Sequence, residues 1–265
     1  MMDAVTTAPG IAGTNLRIGY GGAPIVDGVD VRIPPGELTV IIGPNACGKS
    51  TLLRSLARLL KPETGSVLLD GTDIRTMPTK ELARRLGLLP QTPIAPDGIT
   101  VRDLVSRGRY PHQSLLRSWS VEDEDAVAAA LAATEVADLA DRRVDELSGG
   151  QRQRVWIAMA LAQQTPVLLL DEPTTFLDIG HQNDVLELIS GFRDGERTIV
   201  AVLHDINQAS RFATHLIAMK DGRIVAEGRP ADIVSADLIA ELFGLDARVI
   251  TDPVYGCPVV LPGRG

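Results

Sequence analysis

An apolar run, Leu38 to Ile42, leads directly into Gly43-Pro44-Asn45-Ala46-Cys47-Gly48-Lys49-Ser50, and leucines at helical spacing follow: Leu52, Leu53, Leu56, Leu59 and Leu60. Strand, Gly-rich loop and helix in that order predict an α/β fold with a mainly parallel sheet. The glycines let backbone N–H groups converge on phosphate oxygens, and the helix N-terminus adds its dipole. Lys49 supplies a point charge, and the Ser50 hydroxyl is placed to ligate Mg²⁺. Cys47 is read as a small side chain fitting a tight loop, since no partner thiol is identified. Further short strands are expected at Val67 to Leu69, Gly87 to Leu89, Val167 to Leu170 and Thr198 to Leu203. A late hairpin is expected over His215 to Met219 and Ile224 to Ala226, around Asp221-Gly222.

Composition narrows the class from the other side. The chain of 265 residues has 34 acidic and 26 basic side chains, a net charge of −8 that argues against a protein that coats nucleic acid. Its nine aromatic residues are too few for a stacking platform on single strands. No apolar stretch approaches the roughly 20 residues of a membrane-spanning helix, and Met1 to Gly10 have no secretory pattern, so export is not expected. Two cysteines, Cys47 and Cys257, are too few for a disulfide framework or a CxxC-type zinc site and suit a reducing compartment. From Val101 to Gln164 the patterns are mostly helical, including an Ala-rich stretch from Val121 to Ala140, which suggests an inserted helical subdomain. Its charge is uneven: seven basic residues against three acidic between Lys80 and Arg117, then nine acidic residues against Arg142 and Arg143 between Trp119 and Glu146. Most of the acidic run is read as a solvated helix face. After Gly228 a short helical tail ending in a Pro/Gly-rich strip is expected.

A phosphate loop needs an acid opposite it. Val167-Leu168-Leu169-Leu170-Asp171-Glu172 is an apolar strand ending in two carboxylates, at the sheet end where α/β folds bind ligands. Asp171 would hold Mg²⁺ and Glu172 would polarise water. Leu147-Ser148-Gly149-Gly150-Gln151 then precedes a helix from Arg152 to about Gln163, and the Ser148 side chain with successive N–H groups makes a second phosphate-binding helix end.

With LSGGQ beside the phosphate loop and the strand ending in Asp171-Glu172, the chain resembles the ATP-binding cassette of ABC transporters from about Leu16 to Gly228. The resemblance implies one domain. A nucleotide-binding core would span residues 14–91 and 165–228 and carry an antiparallel β region near its N-terminus; residues 92–164 would form the helical subdomain with the signature motif, and residues 229–265 a short extension. It implies ATP and Mg²⁺ as ligands. Lys49, Glu172, His204 and Gln91 would be catalytic, with Ser50, Gln91 and Asp171 around the metal. Nucleotide contacts would come from Gly43, Pro44, Asn45, Ala46, Cys47, Gly48, Lys49, Ser50 and Thr51, with Tyr20 stacking on adenine. Ser148, Gly149, Gly150, Gln151 and Asp178 would act across a head-to-tail dimer on the partner's ATP. His112, His181 and His215 are given no catalytic role. Ala46 stands where the family most often has glycine, which matters only if that position needs φ above zero.

One cassette without a spanning segment implies separate permease subunits, an extracytoplasmic solute-binding protein acting indirectly, and a peripheral position on the cytoplasmic face of the cell membrane. The segments Gly108-Arg109-Tyr110-Pro111-His112 and Pro173 to Gln182 resemble the ATPases of iron-siderophore uptake, with haem and cobalamin uptake as close relatives. Phe176 stands where tyrosine is frequent in that group. A soluble assembly ATPase, as in iron-sulfur cluster biogenesis, stays open as an alternative. A DNA-maintenance ATPase is disfavoured by the acidic balance and the lack of heptad arms, and a non-hydrolysing binding module by the presence of Glu172 and His204.

Overall fold

The computed structural model describes residues 10–113, 119–192, 195 and 197–263. Met1 to Pro9 and Arg117, the last residue of the basic run, lie outside them. In chain order the elements are β1 (Ile11–Ile18), β2 (Val26–Ile33), β3 (Leu38–Ile42), α1 (Lys49–Leu56), β4 (Thr64–Leu69), β5 (Thr72–Asp73), α2 (Thr79–Arg85), β6 (Leu86–Leu89), α3 (Val101–Ser106), α4 (Val121–Ala133), α5 (Gly149–Ala162), β7 (Val167–Asp171), α6 (Ile179–Gly191), β8 (Thr198–Val202), α7 (Ile206–Phe212), β9 (His215–Lys220), β10 (Arg223–Gly228), α8 (Pro230–Ile233), α9 (Ala236–Phe243), β11 (Ala247–Thr251) and β12 (Pro258–Pro262).

Six strands form the central sheet in the order β10-β9-β3-β8-β7-β6, parallel except for the β9-β10 hairpin. Every residue of β3, β7 and β8 is buried, as a parallel sheet covered on both faces requires. Alternate residues serve opposite faces. Ile41, Leu169, Val200 and Val202 join Leu52, Leu53 and Leu56 of α1 in one apolar cluster. Val40, Leu168, Leu170 and Ala201 join residues of α5, α6 and α9 in the other. The second sheet, β2-β1-β4-β5, is antiparallel and packs on the α1 side, the antiparallel region expected near the N-terminus. Packing of α3 and α4 against α5 forms the helical part, in which Arg109 and Asp123 make a buried ion pair at 2.8 Å. Arg109 also donates to the Ala162 carbonyl and to Gln164 Oε1, each at 2.8 Å. Gly108 lies so close that a Cβ there would stand 2.3 Å from the Met159 carbonyl oxygen. The Gly108 to His112 segment thus fastens α3 to the end of α5, and His112 Nε2 meets the Gln163 carbonyl at 2.8 Å.

Three expectations need correction. The helix after the phosphate loop stops at Leu56, because Arg58 adopts φ 59°, so Leu59 is 67% exposed and does not extend its apolar face. Helix does not continue to Ala140 either. It ends at Ala133 before Glu135 with φ 57°, and only a single 3₁₀ turn follows over Ala137–Leu139. The tail beyond Gly228 has helices α8 and α9 but then forms the hairpin β11-β12, with Asp252 accepting from the Val254 and Tyr255 amides in its turn. Asn207 of α7 pairs with the Val260 backbone in both directions, which fixes this hairpin to the core. The Pro/Gly content that reads as a strip is turn chemistry.

Candidate nucleotide site

The phosphate loop leaves β3 beneath the sheet's carboxyl edge. Gly43 has φ 151°, and a Cβ there would sit 2.1 Å from the Met219 carbonyl oxygen, so only glycine lets the chain leave the strand at this angle. Gly48 caps α1 with φ 107° and no side-chain bond, so the first amides of the helix, which have no intrahelical acceptors, face the loop. Ala46 has φ 62°. The position that favours glycine in this loop is therefore left-handed here, and alanine carries a cost of roughly 1 kcal/mol. Lys49 is 5% exposed, and its ammonium donates to the Gly43 and Pro44 carbonyls at 2.9 Å each. Two oxygens of the loop itself hold the charge. Burial pushes the Cys47 thiol up despite the field of Lys49, which keeps it a protonated packing group.

Opposite the loop, Ser50 Oγ donates to Asp171 Oδ1 at 2.7 Å. Asp171 is 2% exposed, and burial pushes its carboxyl up; the Ser50 hydrogen bond and the charge of Arg54, whose Nε lies 3.7 Å away, oppose the shift and do not cancel it. Two adjacent hard oxygen donors, one of them a carboxylate short of compensation, fit a Mg²⁺ ion. Glu172 follows with φ 54° and its carboxylate held on several sides. Gln91 Nε2 donates to Oε2 at 2.5 Å, Thr175 Oγ1 to the same oxygen at 3.0 Å, and His204 Nε2 lies 2.8 Å from Oε1. Burial raises its pKa, but the hydrogen bonds and the neighbouring imidazole outweigh this and hold the carboxyl below the usual glutamate range.

Residues Asn45, Ala46, Gly48, Lys49, Ser50, Thr51, Gln91, Glu172 and His204 line one cavity of about 470 Å³, together with Ile25. Their convergence follows from strand order, since β3, β8 and β7 are neighbours and the loop, His204 and Asp171-Glu172 stand at their carboxyl ends. Tyr20 lies just past β1, is 61% exposed and does not line the cavity. Nor do Ser148, Gly149, Gly150, Gln151 or Asp178. Ser148 instead caps α5, accepting from the Gln151 amide at 3.3 Å while Gln151 Oε1 accepts from the Ser148 amide at 3.1 Å. Asp178 caps α6. Thr175 and Arg54 escape sequence reasoning, although Thr175, three residues beyond Glu172, carries a readable turn signal.

A family model described as ABC transporter matches residues 26–175. The chain is 56% identical over 266 residues to "Probable siderophore transport system ATP-binding protein YusV" of Bacillus subtilis (strain 168), covering 100% of this chain and 94% of that one. It is 55% identical over 253 residues to the ferric enterobactin transport ATP-binding protein FepC of Escherichia coli (strain K12), covering 95% and 93%. Among solved structures, the dimeric bacterial ABC transporter cassette MJ0796 superposes with a TM-score of 0.73 at 30% identity, covering 83% of this chain and 98% of that one. No helix among the described residues is long and apolar enough to cross a membrane. On the family match and these full-length identities, the chain belongs to the ATP-hydrolysing subunits of the ABC transporter family.

Proposed function

We propose that this subunit binds Mg²⁺-ATP at the phosphate-loop cavity and that its hydrolysis powers import of a ferric siderophore through separate permease subunits. The observation that carries the chemical half is the placement of Glu172 in one cavity with Lys49, Ser50, Gln91 and His204. Lys49 and the amides at the start of α1 bind the β and γ phosphates, while Ser50 and Asp171 hold the metal. The metal, when bound, neutralises phosphate charge. Glu172, ionised at neutral pH, accepts the proton of the attacking water as general base. His204 and Gln91 orient Glu172 and the γ-phosphate.

Ser148 to Gln151 and Asp178 lie outside the cavity, so in this reading they act on the nucleotide of a second copy paired head to tail, and Tyr20 stacks on adenine. The permease docks over the groove beside Gln91 and holds the subunit at the cytoplasmic face of the membrane, with an extracytoplasmic binding protein delivering the solute. Siderophore import rests on the full-length identity to YusV and FepC, whose names state siderophore and ferric enterobactin transport.

The test is uptake of a panel of ferric siderophores, haem and cobalamin in cells lacking this chain. Loss of ferric siderophore uptake, restored by wild type and not by Lys49→Ala, is the expected result. Unimpaired uptake of every solute, with the protein remaining soluble in fractionation whether or not the permease is present, would favour the assembly-ATPase reading instead.

A further inference from the structure

His181 belongs to no part of the cavity, yet it touches two segments that the reading above assigns to the partner's nucleotide. Its Nδ1 lies 2.8 Å from both carboxylate oxygens of Asp178, and its amide donates to Asp178 Oδ1 at 3.0 Å. Because Asp178 is an acceptor only, its carboxyl being held low by these hydrogen bonds, Nδ1 carries the proton and the ring orientation is fixed. The other edge of the same ring lies against the start of α5. A Cβ on Gly150 would meet His181 Cδ2 at 2.6 Å and Nε2 at 3.2 Å. Gly150 has no positive φ that would demand glycine, so the imidazole is what forbids a side chain there. The next residue anchors this turn of α6. Gln182 Nε2 donates to the Leu177 carbonyl at 2.9 Å, and Gln182 Oε1 accepts from Gln208 Nε2 of α7 at 2.7 Å.

We propose that His181 is a positioning residue that holds Asp178 and the Ser148–Gln151 helix end as one unit, so that both are presented to the partner's nucleotide in a single geometry. The proposal rests on the reading that these two segments act across the dimer. It adds a group that touches neither nucleotide nor metal and acts only through its neighbours. The ring supplies two separable contacts, a hydrogen bond to Asp178 and the Cδ2 edge against Gly150.

Two experiments separate those contacts. For the packing contact, thermal unfolding is measured for Gly150→Ala in the wild-type and His181→Ala backgrounds. Alanine within a helix normally stabilises by about 1 kcal/mol relative to glycine, which is a rise of roughly 2 °C in a chain of this size. The expected result is a change of sign: Gly150→Ala lowers Tm when His181 is present and raises it when His181 is alanine. Equal shifts in the two backgrounds would overturn the contact.

For the hydrogen bond, the assembled transporter is assayed with His181→Phe, which keeps a ring without a donor, and with His181→Asn, which keeps a donor without the ring. The expected result for phenylalanine is a fall in kcat of about tenfold, the equivalent of one good hydrogen bond, with KM for ATP unchanged within twofold. Asparagine is expected to restore at least half of the lost rate. Wild-type kcat in His181→Phe, a loss confined to KM, or no recovery in His181→Asn would each overturn the positioning role. Failure of the wider reading has a different signature, because then Ser148→Arg would leave hydrolysis intact as well.

Discussion

Two helices of this molecule begin with a phosphate-binding pattern, and they are finished in opposite ways. At α1 the cap is Gly48 with no side-chain bond, the Lys49 ammonium is buried among loop carbonyls, and Ser50 bonds Asp171 at the cavity that Glu172 also lines. At α5 a capping box is formed: Ser148 and Gln151 satisfy each other's amides, and no residue of Ser148 to Gln151 lines the cavity. An unsatisfied helix end next to a buried cation is completed by an anion. A self-capped end on the surface is already stable and gains a function only when something is brought to it. On the proposed reading, the difference explains how one chain can carry both motifs and still need a second copy.

The sharpest way to break the comparison is Glu172→Gln, which keeps the shape of the α1 end and removes the proposed base. Turnover is expected to fall about 10³-fold, close to 4 kcal/mol of transition-state stabilisation, while ATP binding and ATP-dependent dimerisation persist. Phosphate release and size-exclusion chromatography measure the two, and brisk hydrolysis by the variant would remove Glu172 from its role. Ser148→Arg attacks the other end. Activity is expected to drop about 10²-fold with nucleotide affinity at the variant's own phosphate loop unchanged within twofold. The Tm of Ser148→Arg controls for local unfolding, since loss of the cap alone is expected to cost only about 1 kcal/mol. Loss of ATP binding in Ser148→Arg would erase the distinction between the two ends.

The α1 end was far more legible in sequence than the α5 end. Strand, loop and helix are local, and a loop such as Gly43 to Ser50 has few other uses, so spacing alone placed Lys49 and Ser50. Bringing Asp171 and Glu172 opposite them required only that apolar strands have their carboxyl ends on one edge of a parallel sheet. The hydrogen bonds from Gln91 and Thr175 to Glu172 depend on side-chain directions that no periodicity encodes. Helix ends at Leu56 and Ala133 were missed because Arg58 and Glu135 adopt left-handed backbone without glycine to signal it. Arg109 was legible only as one of seven basic residues and as part of the Gly108 to His112 resemblance, and nothing in the sequence signals that it is 4% exposed. Burial of a charge is decided by its partner, and Asp123 lies fourteen residues away.

That ion pair extends the comparison to buried carboxylates. Asp171 is left short of compensation where the proposed Mg²⁺ would bind, whereas Asp123 is matched by Arg109 within the helical part. Asp123 lies beneath a thin layer of protein, and although burial pushes its carboxyl up, the hydrogen bonds from Arg109 and Ser120 prevail and hold it below the usual range. Asp123→Ala leaves Arg109 buried without its counter-charge and is expected to destabilise by about 3 kcal/mol, the low end for such a pair because solvent is near. A depressed carboxyl contributes stability that is present above its unfolded pKa and lost as pH falls through its folded value. Stability of wild type should therefore fall more steeply than that of Asp123→Ala below the ordinary aspartate pKa. Parallel acid profiles in urea titrations would show that the pair contributes nothing.

The smallest effect is at Ala46, where the α1 end departs from the glycine its backbone favours. At φ 62° the alanine Cβ costs roughly 1 kcal/mol. Ala46→Gly removes that strain but frees the unfolded chain, a loss of about 0.4–1 kcal/mol. The two terms nearly cancel, so the expected stability change is within about 0.5 kcal/mol of zero and on the stabilising side. At an unstrained position the same substitution would cost the full entropy of glycine. A fall in Tm of more than 2 °C, about 1 kcal/mol in a chain of this length, would mean that the loop carries no strain at Ala46. A neutral or positive shift with unchanged ATP affinity would mean that the loop holds its shape against its own sequence. The conformation would then be set by the Gly43 and Gly48 positions and the Lys49 bonds to the loop carbonyls, and Ala46 merely follows it.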